Sequence, residues 1–220
     1  MHTYSSSDGA AITAEAARYA LTRRLLPVLR HHMVVHLQPI GMIYEVLDRK
    51  LVAQQPDLVP VREGLAKISQ LARLAVSSCL DVVTWLAPDP GVVTNVGAGV
   101  EESLDLLRSN FMFRGFTISN QIGDAPGDVL QAAMREVMTA ALMAATDAAL
   151  GAVEVVIMAH GTSHATVVSI ETRPGNGAGF TAEMAYRAMQ WADVQALAQS
   201  HSVGLAHEGA QVRLTFATAA

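Results

Sequence analysis

Three histidines stand within six positions in "LRHHMVVHLQPI", residues 29–40. An imidazole is neutral near physiological pH, with an ordinary pKa of roughly 6.5, so it can attack an electrophile, carry a proton or bind a metal. His32 and His36 are one helical turn apart and could reach the same ion. The stretch lacks the intervening Glu of a metalloprotease helix, however, and no Cys or carboxylate cluster supplies further ligands, so a metal centre is not expected. No Gly-x-Ser-x-Gly elbow accompanies the histidines, so Ser/His/Asp hydrolysis is not expected either. An exposed histidine on a helix is most often a surface residue, and one that does chemistry has to be reachable.

Helical phase sorts the three. Leu26, Leu29, Met33, His36, Ile40, Ile43 and Leu47 follow one another in alternating steps of three and four, the spacing of a coiled-coil seam. His36 lies on that seam and reads as a core histidine, hydrogen-bonded across a bundle. His31 points away from the seam, and His32 lies at its edge. A second helix repeats the spacing with Val61, Leu65, Ile68, Ala72, Ala75, Cys79, Val82 and Leu86, after a turn at Gln54–Asp57. Two such helices leave an apolar stripe that one hairpin cannot cover, and a second copy would complete a four-helix bundle across a homodimer. "APDPGVVTNVGAG" (87–99) then reads as a linker. The expected division is a helical hairpin over 1–90 and a second domain over 91–220.

The second domain alternates its elements. A helix near 100–112 leads to a strand-like "RGFTISNQI". Asp128 is expected to cap a long helix through "VLQAAMREVMTAALMAATDAAL". "AVEVVIMAH" and "ATVVSIETR" alternate as strands do. A glycine-rich "PGNGAGF", a helix near 182–201 and a last strand "AQVRLTFAT" follow. The fold class is α+β, with the hairpin followed by helices on an antiparallel sheet.

Composition narrows the function. Of 220 residues 51% are hydrophobic and only 16% charged, so the chain is globular. A formal charge of -5 without a Lys/Arg cluster argues against a nucleic-acid surface. The single cysteine, Cys79, forms no internal disulfide and fits a reducing compartment. The start has no basic region followed by an apolar one, so no signal peptide is expected. The most apolar region, 129–159, carries Arg135, Glu136, Asp147 and Glu154, which a membrane span would not tolerate. A cytoplasmic protein is the resulting expectation.

A two-helix hairpin with an outward histidine, followed by a smaller α+β domain, resembles the core of a sensor histidine kinase. Leu26, Leu29, Met33, Leu37 and Ile40 stand around His31 where that family places apolar residues around its phosphorylated histidine. Counted from His32, the same steps land on Pro27, Arg30, Val34, Gln38 and Gly41, a poorer fit. One branch of the family has adjacent histidines ahead of a Leu-Gln pair, which would select His32. His31 is therefore the first choice and His32 the reserve. The chain departs from the pattern at the acid that usually follows the histidine, where His32 stands, and at a proline position held by His36. Both departures weaken autokinase chemistry and leave the nucleophile intact.

The second domain is similar in element order to the ATPase domain of that family. In "MREVMTAALMAATDA", Ala140 and Ala144 fall where the family has Asn residues on Mg2+ and nucleotide, and alanine offers no oxygen to a hard cation. Thr172 or Arg173 stands where an adenine-contacting Asp is expected. The resemblance therefore implies a degenerate ATPase-like domain, no ATP and no intrinsic cofactor. A kinase-like dimer of this kind resembles the dimeric histidine phosphotransferases of bacterial phosphorelays. It implies that His31 takes a phosphoryl group from one response-regulator receiver domain and passes it to another, with Mg2+ brought by the receiver. Leu37, Gly41 and Tyr44 are the expected docking residues. Three rival readings stand beside it: a non-catalytic pseudokinase scaffold that binds a signalling partner, an ATP-dependent kinase with diverged motifs, and a helical dimer with a His-based metal site.

Overall fold

The computed structural model describes residues 6–123, 127–149, 151–162, 164–176 and 186–219. The chain divides into two compact units, one of residues Leu25–Ala87 and one joining the residues up to Arg24 with those from Pro88 onward. The hairpin unit ends at Ala87. The residues before Leu25 group with the α+β unit.

The first helix, α1 (Ser6–Leu51), runs unbroken for 46 residues and passes from one unit into the other. It carries Pro27 and Pro39 in its interior. Each removes an amide donor from the helical ladder, so the carbonyls one turn earlier, at Arg23 and Val35, lose their usual partners. Within the hairpin unit, Asp57 caps α2 (Leu58–Leu86) by accepting from the Val59 N–H at 3.0 Å. The seam of α1 holds at Leu29 and Leu47, which are buried, and at half-buried Met33, His36, Ile40 and Ile43. Leu26 departs from it and is exposed.

On α2 the expected stripe is only half right. Val61, Ile68, Ala75 and Val82 turn inward, but the positions between them are Gly64, Leu71, Ser78 and Trp85, each one residue before the one expected. Leu65, Ala72 and Leu86 are exposed instead. Gly64 shows why: a Cβ there would lie 2.6 Å from Leu47 Cδ2, so the two helices approach through the missing side chain.

The other unit is built around a mixed sheet. After β1 (Val93–Asn95) come α3 (Val96–Phe113), β2 (Thr117–Asn120) and β3 (Asp128–Leu130). A continuous helical run, α4, consists of Gln131–Ala133, a π-helical turn over Met134–Met138, and Thr139–Asp147. Then follow β4 (Val153–Gly161), β5 (Ala165–Pro174), α5 (Trp191–Ser200), β6 (Gly204–Glu208) and β7 (Gln211–Ala217). The sheet order is β2-β4-β5-β7-β6, with β2 parallel to β4 and the other pairs antiparallel. β6 and β7 join through Gly209 and Ala210, with Gly209 at a φ of 57° that a two-residue hairpin needs at its first position. The α+β expectation is borne out.

Three details differ from the sequence reading. Asp128 does not cap the long helix: it begins β3, which pairs with β1 in a separate two-stranded ladder, and the helix starts at Gln131. The supposed linker 87–99 supplies β1 and the first turn of α3, which Asn95 caps by accepting from Gly97 N–H at 2.9 Å. Helix α5 starts at Trp191, because Asp193 folds back onto the Gln190 N–H at 3.0 Å and fixes the cap there. The glycine-rich 177–180 lies outside the described residues.

The core lies between the sheet and α3, α4 and α5. Val155, Ile157, Val168, Ile170, Leu214 and Phe216 come from the sheet, and Val100, Phe111, Met134, Met138, Leu142 and Leu197 from the helices, all buried. Residues of α1 before Leu25 join this unit through Ala14, Ala17 and Leu21, which are buried, and through two ion clusters. In the first, Arg18 Nε donates to Glu136 Oε2 at 2.8 Å, and His201 Nε2 meets the same oxygen at 2.8 Å. In the second, Arg24 holds Asp147 through both guanidinium nitrogens, and Arg114 holds the same carboxylate from another side.

Candidate functional site

The site begins with a helix that leaves one imidazole on its outer face. His31 is exposed, whereas His32 and His36 are half-buried. Seen down α1, at about 100° per residue, His31 lies about 160° from the buried seam. The rings of His31 and His32 are 6.4 Å apart between centroids and tilted by 54°, near enough to share an environment without stacking. His36 sits on the seam as expected, but its ring meets no hydrogen-bond partner among the described residues of this chain.

The three residues expected to dock a partner are all exposed, Leu37 by 50% and Tyr44 by 62%. They do not share the face of His31. By the same helical geometry, Leu37 and Tyr44 are about 120–140° round from it and Gly41 about 80°. Gln38 and Met42 fall within about 20° of His31 and Val35 within about 40°. Val35 and Met42 are exposed by 43% and 64%, an apolar surface beside the imidazole that the sequence reading missed. The signal was present, because steps of four, seven and eleven residues from a chosen histidine identify its own face.

Among the described residues no group of three His, Cys, Asp or Glu side chains converges, so His32 and His36 have no third ligand.

In the other unit, Ala140 and Ala144 are fully buried in α4. Thr172 and Arg173 lie at the end of β5. Thr172 N–H donates to Ala210 O at 3.0 Å, and Arg173 pairs with Glu171 at 2.8 Å. That guanidinium holds the Glu171 carboxyl below its usual range. Two histidines that spacing alone left without a role have partners: His201 on Glu136, and His207 stacked on Trp191 with centroids 3.9 Å apart. Among the described residues, no helix is long and apolar enough to cross a membrane.

No protein-family model matches the chain, and no curated protein matches it. Solved structures do resemble it at low scores. The histidine kinase AdeS of Acinetobacter baumannii gives a TM-score of 0.42 at 15% identity, covering 86% of this chain and 97% of that one. A histidine kinase from Burkholderia phymatum STM815 gives 0.41 at 11%, covering 84% and 96%. A bacterial phosphotransferase gives 0.37 at 13%, covering 98% of both chains. These scores are too low to carry an argument, and the functional reading rests on the residues of this chain.

Proposed function

We propose that the protein is a histidine phosphotransferase of a two-component phosphorelay, and that His31 is its phosphoacceptor. The observation that carries this reading is the position of His31, exposed in the middle of a long helix and opposite its buried seam. The lone-pair nitrogen of the neutral ring attacks the phosphorus of a receiver's aspartyl phosphate. The P–O bond to the aspartate breaks, the carboxylate leaves with the electron pair, and an N–P bond forms. The remaining ring N–H proton passes to solvent. Onward transfer runs the same steps in reverse to a second receiver's aspartate. Positioning and charge neutralisation supply most of such a rate, and the receiver brings the Mg2+ that neutralises the phosphoryl oxygens.

The protein acts as a homodimer in this reading. The hairpin unit leaves a second apolar stripe on α2, with Leu65 56%, Val76 60%, Val83 57% and Leu86 52% exposed at coiled-coil spacing. A second copy would cover it. ATP has no role, since the buried Ala140 and Ala144 offer no oxygen to a nucleotide-bound cation.

The test is phosphotransfer from a panel of phosphorylated receiver domains of the same organism, with His31→Gln and His32→Gln alongside. An acid-labile label lost only in His31→Gln supports the assignment. Loss only in His32→Gln moves the role to the neighbouring ring. Absence of label from every receiver favours the non-catalytic scaffold.

A further inference from the structure

One edge of the sheet is β2, which pairs with β4 alone among the described strands. Gln121 N–H donates to Ile157 O at 2.8 Å, which sets the parity of the strand. Since backbone groups alternate in direction, Thr117, Ser119 and Gln121 address β4, while Ile118 and Asn120 turn their N–H and C=O toward the open side. The strand "TISN" contains no proline or lysine, two of the devices that shield an edge.

Beside this edge, α3 and β2 enclose a groove of about 280 Å3. Leu104, Phe111 and Phe116 form its buried floor. Ile118 stands at its mouth, 36% exposed, and Met112, which also lines it, is 72% exposed. Large apolar side chains exposed around an apolar groove mark an interaction surface. The rim is acidic on balance: Arg108 lies 2.6 Å from Asp105 and 4.0 Å from Glu101, so two carboxylates share one guanidinium. Glu101 also accepts from the Asn120 side-chain amide, which ties the helix rim to the strand.

We propose that this groove binds an extended peptide segment of another protein, which adds to the sheet as a further strand along β2. One apolar side chain of the segment enters among Leu104, Phe111, Phe116 and Ile118. A basic side chain two residues away, on the same face of the added strand, meets Glu101 and Asp105. A helix flanking a free strand edge provides both parts of such recognition, main-chain hydrogen bonds for affinity and a pocket for specificity.

The probe is a set of fluorescein-labelled peptides Thr-X-Thr-Lys-Thr, with X as Leu, Val, Ile or Phe, titrated against the full chain by fluorescence anisotropy. At least one should bind saturably in the micromolar range. Binding should weaken about tenfold or more in Ile118→Lys and in Glu101→Lys, both surface changes whose folding is checked by circular dichroism. It should weaken comparably when two successive peptide residues are N-methylated, since one of them must face β2 in either register. Absence of binding by all four peptides overturns the proposal, as does equal binding of the N-methylated form, which would indicate apolar adhesion without strand addition. Concentration-dependent self-association abolished by Ile118→Lys would assign the groove to a second copy and overturn it as well.

Discussion

Arg24 and Asp147, 123 residues apart in sequence, meet edge to edge: Nη1 lies 2.6 Å from Oδ2 and Nη2 3.0 Å from Oδ1. The aspartate side chain is only 1% exposed and the arginine 9%. Arg114 approaches Oδ1 at 3.3 Å, donates to Thr146 O at 2.8 Å, and lies over the Phe116 ring. The Met189 N–H completes the shell at 2.9 Å. Burial alone would push the Arg114 guanidinium down, and the Asp147 charge opposes that shift. One carboxylate thus serves two buried cations.

Asp147→Asn should therefore be among the most damaging single changes, because it leaves both guanidinium groups without a counter-charge. A loss of about 3 kcal/mol or more is expected in urea unfolding. Arg24→Met should cost less, since Arg114 and the Met189 amide still satisfy the carboxylate. Equal losses in the two variants would mean that Arg114 contributes nothing to holding Asp147.

Acid should weaken α5 through Asp193. Its carboxyl is held below the usual range mainly by Arg187, and the Gln190 N–H adds to this. A depressed folded pKa gives stability that is complete above the ordinary value near 3.8 and is lost as the pH falls through the lower folded value. Asp193→Asn should cost about 1 kcal/mol at pH 7, as loss of a helix cap does. The gap between variant and wild type should close once the pH is well below 3.8. Thermal melts across that range would show it, and a gap that persists at the acid end would rule out ionisation as its source.

Gly64→Ala tests the close approach of the hairpin helices. Helix propensity alone would favour alanine by about 1 kcal/mol. The new Cβ, however, would lie 2.6 Å and 2.9 Å from the two Leu47 methyl carbons and 3.1 Å from Cγ. The net effect should be destabilising by about 1–2 kcal/mol. Combined with Leu47→Ala, it should be less harmful than the sum of the two single changes, because the added methyl occupies part of the vacated space. Simple additivity would mean that the two residues are not in contact.

For phosphotransfer, the face of His31 should matter more than the flank. Met42→Arg and Val35→Arg are expected to lower transfer from a receiver about tenfold or more, and Leu37→Arg and Tyr44→Arg to lower it less. Initial rates with a single phosphorylated receiver give the comparison. The reverse order would restore Leu37 and Tyr44 as the docking residues.

These residues also show what the sequence made legible. Alternation in Ala165–Pro174 announced a strand because one side of it is buried, and Val153–Gly161 was legible through its run of β-branched residues, of which Val155, Val156 and Ile157 are all buried. The α1 seam was readable because leucines and isoleucines mark it. The α2 register was not, since Gly64 and Ser78 carry no hydrophobic signal although they face inward. β1 has three residues and β6 has five, too few for a period to emerge. Asp128 looked like a helix cap because strand pairing with Asn95 is a property of distant chain, not of neighbours. The ion clusters were invisible for the same reason, and His201 gave no hint of Glu136.

The wide sequence separation of these clusters also orders events during synthesis. Arg18 needs Glu136 and Ser200, and Arg24 needs Asp147 and the Arg187 carbonyl. A ribosome adding about 5–20 residues per second reaches Ser200 on the order of ten seconds or more after Arg24 has been made. For that interval Arg18 lacks its contact with the Ser200 hydroxyl, so this cluster is complete only after α5 has been made.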